Sequence, residues 1–141
     1  MIIEQLSVFI EDKTGRLTEM TKILAENNIN ISAFSIADAA DFGIVRMIVN
    51  NPIKAKQVLK ENKFSVNITE VVCLVVPHES GGLYKALQIL SKNNVPVDYM
   101  YAFALENKAS VIIRSPSNDT IIKVLQEHKI ELLKASDIYS I

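Results

Sequence analysis

The sequence predicts an α+β fold built from two tandem βαββαβ units, and two observations carry this prediction. First, the chain repeats itself at a shift of 66 residues without a gap, so that residues 5–65 align with residues 71–131. Eleven aligned pairs are identical, and most other apolar positions match in type. Second, the spacing of apolar residues in each repeat follows the order strand, helix, strand, strand, helix, strand. We therefore expect one domain over residues 1–70 and a second over residues 71–141.

The elements of the first repeat follow from apolar spacing and from helix-ending residues. Apolar residues alternate up to Ile10, then recur at helical spacing from Leu17. Asn27-Asn28 predicts a left-handed helix end, and Asn51-Pro52 predicts a helix start with Asn as the cap. The predicted elements are a strand at 5–10, a helix at 17–28, a hairpin of strands at 29–37 and 44–49, a helix from Pro52, and a strand at 64–68.

The second repeat has the same order of elements. Ser117 occupies the cap position that Asn51 occupies in the first repeat. The predicted elements are strands at 71–76, 95–105, 109–114 and 130–133, and helices at 83–92 and 120–128.

A βαββαβ unit is the ferredoxin-like motif, in which both helices cover one face of a four-stranded antiparallel sheet. The face without helices should be polar, yet residues 71–76 are apolar on both faces of their strand. In the strand at 95–105, the face carrying Tyr99, Tyr101 and Phe103 is as apolar as the other. We therefore expect the sheets to stack or extend in an oligomer. Long covering loops are the alternative, for which the predicted elements leave no spare residues.

Composition narrows the class of protein. The net charge is −1 and no block of Lys or Arg occurs, which argues against a nucleic-acid or membrane-surface partner. The apolar runs are too short to cross a bilayer, and the strand-like start predicts no secretory leader. The chain has one cysteine, Cys73, which excludes a disulfide framework within the chain and favours a cytoplasmic location. Because Cys73 lies in an apolar run, we expect its side chain to be buried and to pack as a small hydrophobic residue.

Two loops between a strand and a helix are the candidate sites. The first is Asp-Lys-Thr-Gly-Arg-Leu at residues 12–17, and the second is His-Glu-Ser-Gly-Gly-Leu at residues 78–83. A glycine at this place lets the backbone approach a small anionic ligand, which the N–H groups of the helix N-terminus favour. The alternative is that Gly15 and Gly81 are needed only for the geometry of the turn and have no role in ligand binding.

The first loop, together with Asn-Ile-Asn-Ile at residues 28–31, is similar to the D-[RK]-x-G-x-L loop and the following strand start of ACT domains. The chain thus resembles a tandem ACT-domain protein. The resemblance implies a regulatory module that binds an amino acid at a seam between two domains and pairs through its sheets. It implies no attached enzyme, no cofactor and no metal.

The resemblance assigns roles around the first loop. Backbone N–H groups near Arg16 and Leu17 would bind the ligand carboxylate, with Gly15 permitting close approach. Asp12 and the side-chain oxygen of Asn30 would accept from the ammonium group, and Ile31 is the next residue of this site. Asp12 equally suits a solvated loop charge, and Asn30 equally suits a residue that satisfies backbone groups at a strand start. Thr14 would cap the helix or offer its hydroxyl. Arg16 would reach across the seam, although a surface position is the plainer expectation.

The second loop departs from this pattern. His78 replaces Asp12, Gly82 replaces Arg16 and Pro96 replaces Asn30, so two ammonium acceptors are missing. Backbone groups at Gly81, Gly82 and Leu83 would still bind a carboxylate, and His78 would contact the ligand or face solvent. We therefore expect two unequal sites.

Three functions compete with a stand-alone amino-acid sensor. A regulatory small subunit of an amino-acid biosynthetic enzyme is the main alternative, because an exposed apolar sheet face suits both. An enzyme is disfavoured, since His78 and His128 lie far apart and no metal or nucleophile motif occurs. RNA binding would need aromatic residues on central strands and a basic face, which the sequence lacks.

Overall fold

The computed structural model describes residues 1–11, 13–38 and 41–140, and these form two compact units. The N-terminal unit is Glu4–Thr69 with Ser136–Ile141, and the C-terminal unit is Met1–Ile3 with Glu70–Ala135. The structure thus assigns each end of the chain to the unit of the opposite half. The domain bounds expected from the repeat, 1–70 and 71–141, rest on sequence periodicity and stay a prediction.

The described residues contain seven strands and five helices, which confirms the predicted α+β class. In chain order they are β1 (Ile2–Ile10), α1 (Lys13–Glu26), β2 (Ile31–Asp38), β3 (Gly43–Val49), α2 (Pro52–Glu61), β4 (Ser65–Pro77), α3 (Gly82–Lys92), β5 (Tyr99–Leu105), β6 (Lys108–Arg114), α4 (Asn118–Glu127), β7 (Glu131–Leu132) and α5 (Ala135–Tyr139).

Each unit has the strand order of a ferredoxin-like sheet. In the N-terminal unit the order is β4-β1-β3-β2, and in the C-terminal unit it is β7-β4-β6-β5. The β3 and β6 ladders are antiparallel on both sides, as the predicted hairpins require. Strand β4 carries the chain from one unit into the other without a break, where the sequence predicted two strands.

One apolar core lies under the helices of each unit. In the N-terminal unit, Leu6, Val8 and Ile10 of β1 pack with residues of both helices, including Leu24 and Leu59. The matching core of the C-terminal unit is built on the aligned positions of β4 and on α3 and α4. Since alternate strand residues face opposite sides, one face of each sheet is buried under its two helices.

All four long helices end in the same way, which explains identities of the repeat. Asn27 and Asn93 each donate their side-chain amide to the carbonyl four residues earlier, at 2.8 Å. Asn28 and Asn94 follow with positive φ of 56° and 54°. The next residue then donates its N–H to a carbonyl five residues back, as a Schellman motif does.

Because of these residues at the helix ends, several strands begin later in the structure than the sequence predicted. Ile29, Phe64 and Val95 were predicted to begin strands, but each closes the preceding helix and is buried in a core. In the C-terminal unit, Pro96 then lacks the N–H of a ladder residue, so β5 begins at Tyr99. Helix α1 also differs, because it begins at Lys13 rather than at Leu17.

Helix α5 is absent from the sequence prediction. Its Ile138 is fully buried, and the Tyr139 hydroxyl lies 3.0 Å from the Glu4 N–H, which donates to it. The chain therefore has residues to spare after its last strand, contrary to the expectation. On the faces without helices, Ile48, Cys73 and Ile112 are fully buried in a single chain.

Candidate functional site

The first loop joins β1 to α1 at one end of the N-terminal sheet. Asp12 lies outside the described residues. Because α1 begins at Lys13, Thr14 is its second residue and lies inside the helix rather than at the capping position. Gly15 lies exposed in the first helical turn. The Thr14 side chain is exposed, while its carbonyl oxygen accepts from the Thr18 hydroxyl at 3.1 Å.

Arg16 is held by its own unit. Its guanidinium carbon lies 3.7 Å from the centroid of the Phe64 ring, a cation–π contact. One Nη donates to Glu19 at 2.9 Å and the other to the Lys63 carbonyl oxygen at 3.3 Å. Arg16 also lines a surface cavity of ≈ 330 Å³ together with Glu11 and Lys63. Its interactions fit the plainer expectation for this residue, a surface position.

Leu17 and Ile31 lie half-buried against the core of the N-terminal unit. Their side chains therefore support the loop and the strand start from inside.

Asn30 lies at the end of the N-terminal sheet opposite the first loop. In the two β3 ladders, Gly43 pairs with Ile10 and Asp38, whereas Val49 pairs with Ile31. The two ends of β3 are about 20 Å apart at about 3.3 Å per residue. Asn30 is anchored there, since its N–H donates to Asn50 Oδ1 at 3.0 Å and its carbonyl oxygen accepts from the Asn50 N–H at 3.1 Å. One unit does not bring Asn30 to the first loop.

The second loop is ordered by backbone hydrogen bonds. The His78 N–H donates to the Asn107 carbonyl oxygen at 2.8 Å, and the Gly82 N–H donates to that of Glu79 at 3.1 Å. Gly81 has a φ of 87°, the left-handed region that glycine adopts without strain. A Cβ on Gly82 would overlap the Pro77 carbonyl oxygen, so only glycine fits there.

Gly81 is the N-cap of α3, and no side chain caps this helix. The first-turn N–H groups of a helix have no partner within the helix and carry partial positive charge. The Gly82 N–H already donates to Glu79, so a carboxylate at this helix start would be bound by other N–H groups of the first turn, such as that of Leu83. Binding at this loop stays a prediction.

A cavity of ≈ 320 Å³ opens beside the second loop. It lies between this loop, the start of α3 and the edge strand β5, so it includes the predicted site residues His78 and Leu83. The other residues that line the cavity were not predicted from the sequence. The lining residues are Val76, Pro77, His78, Glu79, Leu83, Ala102, Phe103, Ala104, Ala109 and Val111. The repeat alignment indicates where space is available, because Ala102 and Ala104 align with the larger residues Ile36 and Asp38.

Cys73 is a buried free thiol in β4. Burial raises the pKa of the Cys73 thiol to about 12, so this thiol stays protonated and is a poor nucleophile. Among residues 1–11, 13–38 and 41–140, no three His, Cys, Asp or Glu side chains are grouped to hold a metal. Within the same residues, none of the helices is long and apolar enough to cross a membrane.

Comparison with known proteins places these features in context. A family model described as an ACT domain pair matches residues 1–141. Protein BT0572 from Bacteroides thetaiotaomicron, a solved structure, is 52% identical, with a TM-score of 0.96 and an alignment covering 100% of this chain and 98% of that one. No match was found among curated proteins.

Two regulatory subunits of aspartate kinase are more distant neighbours. The ligand-free subunit from Thermus thermophilus is 15% identical, with a TM-score of 0.65 and coverage of 88% of this chain and 91% of that one. The subunit from Thermus flavus is 13% identical, with a TM-score of 0.63 and coverage of 90% and 94%. At these identities the likeness concerns the fold alone.

Proposed function

Because the chain belongs to the family of ACT domain pairs, we propose that it binds a free amino acid and so acts as a regulator of amino-acid metabolism. ACT domains are regulatory rather than catalytic modules, and the sensor role extends that family character to this chain. The buried free thiol of Cys73 is consistent with a reducing cytoplasm as its place of action.

The observation that carries the proposal is the uncapped start of α3 beside a cavity of ≈ 320 Å³. An amino acid presents a carboxylate, an ammonium group and a side chain. The backbone N–H groups of the α3 start suit the carboxylate, since they meet an anion without a competing side chain. Glu79, on the cavity wall, is the acidic group within the same loop that suits the ammonium.

The first loop requires a different arrangement. Because Asn30 and the first loop lie about 20 Å apart in one unit, a ligand that touches both must lie between two copies of the unit. We place the second copy along β2, which is the edge strand of the N-terminal sheet. Antiparallel pairing of two β2 edges would set Asn30 of a second chain beside the first loop.

The exposure of β2 supports this pairing. Phe34 remains 40% exposed on the strand, although apolar side chains of this size are mostly buried. Strand β2 ends the strand order of the sheet, and proteins seldom leave an edge strand without protection. A ligand at this seam would favour the paired state, which a downstream partner then recognises.

The alternative is a regulatory subunit of an amino-acid biosynthetic enzyme. In Thermus, chains that share this fold and align over more than nine-tenths of their length are regulatory subunits of aspartate kinase. Affinity purification of the tagged chain from its native cells distinguishes the two. A stoichiometric larger enzyme subunit favours the alternative, and recovery of the chain alone favours the stand-alone regulator.

A thermal-shift screen against the twenty amino acids tests the proposal. A ligand that binds only the folded state raises the melting temperature, and a small set of amino acids should do so in a concentration-dependent way. Light scattering on the same samples should show a dimer that the active amino acids stabilise. A melting temperature that no amino acid changes at 10 mM, about a thousandfold above a Kd of about 10 μM, would refute amino-acid sensing.

A further inference from the structure

The cavity beside the second loop is walled almost entirely by apolar side chains. Val76, Leu83 and Val111 are among its lining residues, and its volume of ≈ 320 Å³ is near the lower end of ligand pockets, about 300–1,000 Å³. This size suits a single small metabolite. Its polar side chains are His78 and Glu79, which belong to the exposed loop.

Two alanines on β5 open the cavity. In the β5–β6 ladder, Ala102 pairs with Val111 and Ala104 pairs with Ala109. Paired residues of an antiparallel ladder project from the same face of the sheet, here the face that carries the core under α3. The small methyl groups of the alanines leave this part of the edge strand unfilled.

The aligned part of the edge strand in the N-terminal unit carries larger side chains. Its β2–β3 ladder has the same register, in which Ile36 pairs with Val45 and Asp38 pairs with Gly43. The residues aligned with Ala102 and Ala104 are therefore a large aliphatic residue and a carboxylate. The edge-strand residues beside the two loops therefore differ in volume and charge.

The composition of the wall sets what the cavity accepts. Among the described residues that line it there is no Lys or Arg, so the carboxylate side chain of an acidic ligand would find no cationic partner there. An apolar side chain would instead exchange water for contacts with valine, leucine and alanine groups. Discrimination by size is also expected, because alanine at position 102 leaves room that isoleucine would occupy.

We propose that this cavity is the side-chain pocket of the second loop, and that it selects amino acids with an apolar side chain of leucine to phenylalanine size. This inference rests on the proposed function, since it names the substrate class of a site whose backbone would hold the amino-acid carboxylate. The two loops would then report on chemically different ligands.

Isothermal titration of the full chain with leucine, phenylalanine, alanine and aspartate tests the inference. Leucine or phenylalanine should bind at least roughly tenfold more tightly than aspartate, the discrimination expected when a pocket offers no partner for a polar group. Ala102→Ile introduces the residue found at the aligned position of the other repeat. This variant should bind the preferred ligand at least roughly tenfold more weakly than wild type.

Controls separate the pocket from the fold. Ala25→Ile makes the same change at an exposed position of α1, and we expect it to leave affinity within about twofold of wild type. Unchanged melting temperature in Ala102→Ile shows that the sheet tolerates isoleucine, a good strand former. If that variant does not fold, Ala104→Val tests the same wall with a smaller change.

The outcomes separate this inference from the function on which it rests. If aspartate binds most tightly, the cavity is not the side-chain pocket of the second loop, although the protein still binds amino acids. The same conclusion follows if leucine binds wild type and Ala102→Ile with equal affinity. A uniform loss for all ligands in Ala102→Ile would also overturn it, because a side-chain pocket must discriminate by side chain. Absence of binding by every amino acid would refute the function itself.

Discussion

Two adjacent glycines of the second loop illustrate how different constraints select the same residue. Gly81 needs its positive φ of 87°, but a Cβ there would meet no atom within 4 Å. Gly82 lies against the Pro77 carbonyl oxygen, so its constraint is space. The sequence predicts a glycine loop from both, yet it cannot separate the two reasons, because the crowding atom belongs to the preceding strand.

Gly82→Ala should destabilise the protein by about 3 kcal/mol, since a rigid backbone oxygen must move to admit the new methyl group. Gly81→Asn should cost less than about 1 kcal/mol, because Asn tolerates the left-handed conformation. Urea unfolding of both variants measures the difference. Equal losses of unfolding free energy would contradict the assigned reasons.

Cys73 gives a residue-scale prediction about pH. Burial raises the pKa of its thiol from 9.0 to about 12. Because the folded pKa exceeds the unfolded one, the thiol contributes stability that is complete below pH 9 and is lost as pH rises towards 12. Burial also raises the pKa of Tyr139, which acts in the same direction from its ordinary value of 10.0.

Comparison with Cys73→Val isolates the thiol, because Tyr139 is present in both proteins. Between pH 9 and 11, the unfolding free energy of wild type should fall more steeply than that of the variant. Chemical denaturation at fixed pH steps measures both slopes. Parallel curves would show that the thiol does not titrate differently on folding.

At the scale of elements, the helix ends are the most regular feature of the chain. Sequence periodicity predicts the long helices and the hairpins, and Asn27-Asn28 correctly predicts a left-handed stop. Lys63 and Lys129 occupy the same left-handed position in the other two helices, with φ of 68° and 59°. Lysine seldom adopts this conformation, so local sequence gives no warning of it. Their identity in the repeat was the only clue.

Lys63→Gly should stabilise the protein by about 0.5–1 kcal/mol, because glycine adopts a positive φ without the steric cost of a Cβ. Lys60→Gly, the same change inside α2, should instead destabilise by about 1 kcal/mol. Thermal or urea unfolding resolves the opposite signs. A loss of stability in Lys63→Gly would place the α2 end in another conformation.

The elements that sequence reasoning missed are short or polar. Helix α5 spans five residues and contributes one fully buried side chain, Ile138, so no periodicity can appear. The first turn of α1 carries exposed residues such as Thr14 and Gly15, and it gives no apolar spacing either. The stacking of Arg16 on Phe64 joins residues far apart in the chain, which a single sequence does not connect.

At the scale of the whole molecule, the repeat produces two units with one topology and two different loops. The sequence predicts the duplication and the loss of symmetry at His78 and Pro96. It does not predict the distance between Asn30 and the first loop, because that distance follows from strand register. Both β2 and β5 end their sheet orders as edges. The proposed pairing of chains uses such an edge and would bring Asn30 of one chain beside the first loop of another.

The central claim is that this chain binds a free amino acid. Isothermal titration of the purified full-length protein with each of the twenty amino acids tests it most directly. The account predicts saturable binding of at least one, with Kd below about 1 mM, or a binding free energy more favourable than about −4 kcal/mol. Heats no larger than dilution for all twenty would contradict it.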